Sequence, residues 1–317
     1  MKIVIPGGTG QIGVLLARAF HFDGNDVVVL SRTPAPAPWR IVRWDGRTYA
    51  REWADEIDGA RVVINLAGKS VNCRYNAANR REIRASRVDS VRAVAEAIVR
   101  ASHPPKVWLQ ASTATIYAHR LDAGNDESSG TLGGGELPSP PKWQFSTEVA
   151  CAWESALVEA VTPYTRKVAL RSAMTMSPDR GGVFDTLLTL VRRGLGGTAG
   201  SGRQYVSWIH EADFVRAVAW IIAHERVAGP INLAAPNPVP NAEFMRAIRE
   251  AWGQRRGLPA PEWLLEVGAL FLGTETELVL KSRRVVPRLL LDAGFRFAYP
   301  DWPEAAQELC DRVRNRG

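Results

Sequence analysis

The chain opens with Lys2-Ile-Val-Ile-Pro6, continues through Gly7-Gly8-Thr9-Gly10-Gln11-Ile12-Gly13, and runs on into the apolar-periodic stretch Val14 to Phe22. A β-branched strand feeding a glycine loop that opens a helix is an arrangement that holds a pyrophosphate. The first glycine permits the sharp turn, the second lets backbone approach the phosphates, and the third lets helix and strand pack closely. The helix N-terminus adds free N–H groups and a partial positive charge. This order restricts the amino-terminal part to a strand–loop–helix unit that binds a dinucleotide. Gly7, Gly10, Gln11, Ile12 and Gly13 are its expected contacts.

A length of 317 residues suits one large or two closely joined domains with a sizeable core. No apolar run approaches the roughly 18 residues of a membrane span, and the first residues do not read as a secretory signal. The three cysteines, Cys73, Cys151 and Cys310, are widely separated, which suggests reduced thiols and a cytoplasmic location. They have no zinc spacing, so no metal is expected. A net charge of +7 and a pI near 9.6 raise the question of nucleic acid. The basic residues are scattered, however, and interleaved with acids, as from Arg80 to Arg92. Solvated helix faces and a cleft for an anionic small molecule account for them, and neither a nucleic-acid nor a membrane partner is expected.

Strand and helix signals alternate through the first half, the pattern of a parallel sheet with crossover helices. Strands are read at Lys2–Ile5, Asp26–Leu30, Arg40–Trp44, Arg61–Leu66, Lys106–Gln110 and Arg166–Arg171. Helices are read at Gln11–Phe22, Arg51–Ile57, Ala77–Ala101 and Phe145–Ala160. Leu121–Lys142, rich in Gly, Ser, Pro and acids, reads as a long exposed loop, either a flap over a site or a surface insertion. Beyond about residue 172 the alternation becomes irregular, with helices at Glu211–Ala223, Asn241–Trp252, Pro261–Phe271 and Trp302–Arg314. The expected fold is α/β: a Rossmann-type doubly wound parallel sheet over residues 1–171, with 204–224 returning to it. Residues 172–317 form a smaller C-terminal lobe on the substrate side. The two long helices offer a dimer surface, and monomer and homodimer both remain open.

The residue that meets the adenosine ribose is expected about 20 positions after the glycine loop. A carboxylate there would repel a 2′-phosphate. This chain has Ser31-Arg32, and a guanidinium fork suits a 2′-phosphate, so NADP is favoured over NAD, with a solvated strand-end arginine as the alternative. Asp45, ending the third strand, can accept from the adenine amino group or simply initiate a turn. In Asn65-Leu66-Ala67-Gly68, small residues let backbone lie beside the ribose and nicotinamide.

Gly7-x-x-Gly10-x-x-Gly13, Asn65-Leu-Ala-Gly68 and Ser112-Thr113-Ala-Thr-Ile-Tyr117 resemble the extended short-chain dehydrogenase/reductases. Further motifs resemble the atypical "epimerase family" branch. They include Arg74-Tyr75, Ser86-Arg87, Trp153-Glu154, Gly200-Ser-Gly-Arg-Gln204, Ser207-Trp-Ile-His210, Ala235-Pro-Asn-Pro238, Arg284-Val-Val-Pro287 and Ala293-Gly-Phe-Arg-Phe297. The resemblance covers nearly the whole chain. It implies a Rossmann domain carrying NADP, with a small C-terminal lobe over the nicotinamide end.

The resemblance also implies chemistry by a Ser or Thr after the fifth strand and a Tyr-x-x-x-Lys on the next helix, the lysine lowering the tyrosine pKa. Counted back from Glu154, the tyrosine slot falls at Phe145 or Ser146 and the lysine slot at Val149 or Ala150. None of the six tyrosines has a lysine four residues later. Thr113 holds the hydroxyl position with Ser112 beside it, and Tyr117 stands where related proteins often place a substrate-facing tyrosine. Tyr117 either supplies a proton or packs. His210 is the best-placed histidine, with a structural role as its alternative, and Glu148 is a further candidate base. Arg74, Arg87, Arg203 and Arg284 are expected to converge on an anionic substrate. Trp143, Trp153 and Trp208 either wall the pocket or fill the core. The expected activity is NADP-dependent oxidoreduction or epimerisation of a small carbonyl or hydroxyl compound by hydride transfer. The competing expectation is an NADP-binding scaffold or regulator without turnover.

Overall fold

A computed structural model of the chain describes residues 1–134, 141–266 and 275–316. Seven strands form one wholly parallel sheet: β1 (Lys2–Pro6), β2 (Asp26–Ser31), β3 (Arg40–Arg43), β4 (Val62–Asn65), β5 (Val107–Thr113), β6 (Arg166–Ser172) and Gly229–Leu233. The last strand lies at one edge beside β6, β3 at the other, and the order between them is β6-β5-β4-β1-β2. The order reverses between β1 and β4, the switch point outside which doubly wound sheets bind ligands.

The strands are apolar on both faces because helices cover both. Ile3, Ile5, Val27, Val29, Ile64, Leu109 and Leu170 turn to one side, where they meet Leu16 and Phe20 of α1 (Gln11–Phe22) and Phe214, Ala217 and Ile221 of the helix Glu211–Ala223. The intervening Val4, Val28, Val63, Trp108 and Ala169 turn the other way. They pack against Trp53 of α2 (Arg51–Ala54), Val94 and Ile98 of α3 (Ala77–Arg100), and Trp153 and Leu157 of α4 (Pro141–Glu159). A third core joins Phe184 and Leu188 of α5 (Val183–Arg192), Phe244 and Ile248 of Asn241–Trp252, and Trp302 and Leu309 of Trp302–Arg314. No helix among the described residues is long and apolar enough to cross a membrane.

The sheet agrees with the sequence reading in its first six strands and adds a seventh. Gly229-Pro-Ile-Asn232 belongs to the motifs that resemble the epimerase branch, but the segment is absent from the strands read from the sequence, and its Gly-Pro start is a weak strand signal. At an edge, paired only with β6, the missing N–H of Pro230 leaves no ladder bond unmade. The helix Glu211–Ala223 packs on this sheet and the strand Gly229–Leu233 forms its edge; the helix lies in the 204–224 segment expected to return to the first domain, the strand within the 172–317 span.

The predicted loop Leu121–Lys142 is not a free flap over 121–134. Asn125 donates its N–H to Arg284 O (2.6 Å) and accepts from Val286 N (2.9 Å). Glu127 accepts from the backbone N–H of Asn232 (2.9 Å) and Leu289 (3.3 Å). The loop is thus laced to the seventh strand and the 284–289 segment. Residues 135–140 lie outside the described residues, and α4 begins at Pro141, inside the predicted loop. The predicted helix Pro261–Phe271 is helical over 262–266, and its remainder lies outside the described residues.

Candidate functional site

Gly7 takes φ +76°, a left-handed conformation that favours glycine, and a Cβ there would lie 2.7 Å from Ala67 Cα and N. The glycine loop therefore seats directly on the Leu66–Ala67 backbone at the end of β4. A Cβ on Gly13 would run into the backbone of Gly8, whereas one on Gly10 would meet nothing closer than Gly7 O at 3.9 Å. Gly10 is the N-cap of α1, without a side-chain cap and with no acidic residue in the first turn. The free N–H groups of such a helix start favour an anion. Ile12 packs against the first core, and the Gln11 side chain runs to Gly182.

At the end of β2, Ser31 is buried and its hydroxyl bonds Thr9 Oγ1 (3.0 Å) and the Thr33 backbone N (3.2 Å), which ties this strand end to the glycine loop. Arg32 is exposed, with no hydrogen bond or ion pair among the described residues. Asp45 uses both oxygens in its own turn, accepting from Arg47 N (2.8 Å), Thr48 N (2.9 Å) and the Thr48 hydroxyl. Partial burial raises its pKa, but these bonds outweigh burial and leave it lowered. Its geometry is that of the turn-initiating aspartate. Asn65 is buried, donates to Gln110 Oε1 (2.9 Å) and accepts from Ala67 N (3.1 Å), which fixes the course of Leu66 and Ala67. Gly68 leaves room for Arg87, which donates to the carbonyls of Lys69 and Ile83 (3.0 Å each) and lies over Trp153, 4.9 Å from the ring centroid. Burial pulls the Arg87 guanidinium down to about 10.

Several candidates take structural roles instead. Tyr117 is 2 % exposed; its hydroxyl donates to Asn232 Oδ1 (2.9 Å) and accepts from Arg171 (2.8 Å). Burial raises its pKa in spite of the arginine, so it is no base, and it faces the core rather than a substrate. Ser112 donates to Glu154 (2.5 Å), which also receives a forked pair from Arg171 at 2.7 and 2.8 Å. The chain Ser112–Glu154–Arg171–Tyr117–Asn232 is thus a buried brace across β5, β6, α4 and the edge strand.

His210 is 1 % exposed; its Nδ1 accepts from Ala212 N (3.1 Å) as a helix N-cap, and its Nε2 meets Glu308 (2.9 Å). Arg284 clamps the carbonyls of Leu121 and Asp122 and lies over Tyr205, while Arg74 pairs with Glu275. The predicted convergence of Arg74, Arg87, Arg203 and Arg284 does not occur, because Arg284 is held on the 121–122 loop and Arg203 is exposed. All three tryptophans are buried. Glu148 is exposed on α4.

Thr113 remains at the end of β5, half-buried, its Oγ1 accepting only from Thr115 N (3.2 Å) among the described residues. Beside it lies a cluster that the sequence did not reveal. Lys281, 1 % exposed, donates to Thr115 O (3.0 Å) and Thr147 Oγ1 (3.2 Å), bridging the β5 turn and α4. Arg283 donates to Thr115 Oγ1 (3.1 Å). Ser146, one of the two residues at the tyrosine slot, donates to Glu277 Oε2 (2.6 Å), and the Tyr75 side chain lies beside it. The hydrogen-bond partners Ser146 and Glu277, and those of Lys281 and Arg283, lie more than a hundred residues apart, so no local spacing could have paired them. The described residues contain no group of three or more His, Cys, Asp or Glu able to hold a metal ion.

The family model described as "NAD dependent epimerase/dehydratase family" matches residues 3–234, and one described as a domain of unknown function (DUF1731) matches residues 260–309. The chain is 31% identical over 313 residues to the epimerase family protein SDR39U1 of Bos taurus, covering 98% of this chain and 99% of that protein. It is 30% identical over 312 residues to the epimerase family protein YfhF of Bacillus subtilis, covering 98% of each. Its structure is similar to the crystal structure of human SDR39U1 with NADPH, with a TM-score of 0.84, 29% identity, and coverage of 98% of this chain and 99% of that one.

Proposed function

The chain belongs to the NAD dependent epimerase/dehydratase family, and from that premise we propose that it is an NADP(H)-dependent oxidoreductase or epimerase-like enzyme acting on a small carbonyl or hydroxyl compound. The carrying observation is the uncapped start of α1 on a glycine loop seated against Leu66–Ala67, with the Arg32 guanidinium unengaged at the end of β2. These residues fit the dinucleotide that the human relative was crystallised with. The N–H groups at Gln11 and Ile12 would hold the pyrophosphate, Ser31 and Arg32 the 2′-phosphate, and Leu66–Gly68 would lie beside the nicotinamide ribose. Bound there, the nicotinamide supplies or accepts hydride. The protein's own part is orientation and proton handling, with the Thr113 hydroxyl positioned to hold the substrate oxygen.

A second reading, an NADP-binding regulator without turnover, is favoured by Phe145 or Ser146 and Val149 or Ala150 standing in the tyrosine and lysine slots. The test is calorimetry of purified apoprotein with NADPH and NADH, followed by NADPH consumption against a panel of small aldehydes, ketones and keto acids. Tight NADPH binding with turnover of some panel member supports the enzyme; binding without turnover supports the regulator. No binding of either nucleotide refutes both.

A further inference from the structure

We propose that Ser146, backed by Glu277, gives and takes the substrate's proton, in place of the missing Tyr-x-x-x-Lys pair; the proposal rests on the enzyme reading above. Ser146 is one of the two residues at the tyrosine slot near the start of α4, and unlike Phe145 it carries a hydroxyl and is only half-buried. Its Oγ lies 2.6 Å from Glu277 Oε2. Lys281 holds both Thr115 O and Thr147 Oγ1, which ties the residue next to Ser146 to the turn that follows Thr113.

Glu277 has the features of a proton reservoir. It is 2 % exposed, and its Oε1 has no hydrogen-bond partner among the described residues. A buried carboxylate oxygen left without a donor costs stability, and that cost falls when the group holds a proton. Burial pushes its pKa up, against the lowering influence of Arg283, the Ser146 hydrogen bond and Lys281. The charged and titratable groups facing it are Lys281 and Arg283 from its own segment, Glu275 two residues before it, and Tyr75 from the β4–α3 connection. From α4 it meets the Ser146 hydroxyl. Burial also raises the Tyr75 pKa, so Tyr75 stays protonated as a fixed neighbour of Ser146.

In carbonyl reduction, the Ser146 Oγ–H bond breaks as an O–H bond forms on the substrate oxygen, while hydride from the nicotinamide completes the C–H bond. The Glu277 carboxyl proton passes to Ser146 Oγ, and the remaining carboxylate, with Lys281 3.9 Å away, takes a proton from water. Alcohol oxidation runs the same transfers in reverse.

The test compares wild type, Ser146→Ala, Ser146→Thr, Glu277→Gln and Tyr75→Phe by three measurements. Calorimetry with NADPH is expected to give Kd values within about two-fold of one another. Infrared difference titration of the apoprotein is expected to show a protonated carboxyl band that persists above the ordinary glutamate range near 4.3 and is absent from Glu277→Gln. With a substrate from the carbonyl panel, Ser146→Ala is expected to lower kcat by about 100-fold or more, and Ser146→Thr to recover much of it. The wild-type rate should fall as pH rises through the Glu277 titration, and Glu277→Gln should lose that limb.

Failure of wild type to bind NADPH would sink the enzyme reading itself. Intact binding with a Glu277 carboxyl ionised throughout the titration overturns this inference, with or without a turned-over substrate. So does a Tyr75→Phe loss with Ser146→Ala silent, which would transfer the role to Tyr75. Ser146 is only half-buried, so its variants remain informative if Glu277→Gln fails to fold.

Discussion

Replacing Tyr117 by phenylalanine separates architecture from chemistry at the position where the sequence left both open. The ring, its burial and its stacking under Arg171, 5.0 Å from the centroid, are retained. Two hydrogen bonds are lost: one from the charged Arg171 at 2.8 Å and one to Asn232 at 2.9 Å. Arg171 keeps its forked pair to Glu154, so only one of its N–H groups is orphaned. A bond to a charged group contributes about 1.5–3 kcal/mol and a neutral one about 1 kcal/mol, giving an expected destabilisation of about 2–4 kcal/mol. For a chain of 317 residues this corresponds in thermal unfolding to a drop of roughly 3–6 °C. Arg171→Met should be worse, at about 3–5 kcal/mol, because it strips the largely buried Glu154 carboxylate of its cation and leaves it only the Ser112 hydrogen bond. Differential scanning calorimetry, paired with NADPH titration of the folded protein, checks both variants. A Tyr117→Phe protein that melts with wild type and binds NADPH normally, but has lost turnover, would refute the bracing role.

Arg32→Ala should weaken NADPH binding by about 10–100-fold, as loss of a charge-assisted bond implies, while leaving NADH nearly unaffected; equal losses in calorimetry would remove Arg32 from 2′-phosphate recognition. Gly13→Ala should destabilise the fold by about 1–3 kcal/mol and abolish dinucleotide binding, because the added methyl meets the Gly8 backbone; a variant with normal Tm and Kd would contradict that packing. Burial raises the Asp126 pKa, but bonds from the N–H and hydroxyl groups of Ser129 and Ser128 outweigh it and hold the carboxyl well below its ordinary range. A depressed carboxyl stabilises the fold above its unfolded pKa of about 3.9 and loses that contribution as pH falls towards the folded value. Asp126→Asn should therefore be less stable than wild type at neutral pH and converge on it in acid; a constant gap across pH 2–7 would argue against the linkage. Burial pushes the Cys310 thiol up to about 12, so a thiol reagent at pH 8 should label it only after unfolding. Mass spectrometry of native protein with Cys310 rapidly modified would show that this core opens.

Those outcomes bear on a division that runs through the molecule. The strand–loop–helix at the amino terminus, the two-sided apolar strands and the reversal of a parallel sheet were legible in order and spacing. Each depends on interactions within a few residues, or on a periodicity that helices on both faces impose. Gly7 is an example, since a left-handed turn between strand and helix is a local demand that few other residues satisfy.

The cluster of Ser146, Glu277 and Lys281 obeys no such rule. Ser146 meets Glu277 across 131 residues, and Lys281 meets Thr147 across 134. No period or motif links positions that far apart, so only chain packing could bring them together. Packing also decided what exposure each candidate would have: it sank Tyr117 and His210 into hydrogen-bonded cores, drew Ser112 to Glu154, and left Thr113 half-open at the strand end. Residue type states which proton a side chain can carry; whether that proton meets solvent, substrate or another side chain is settled by the atoms the fold places around it.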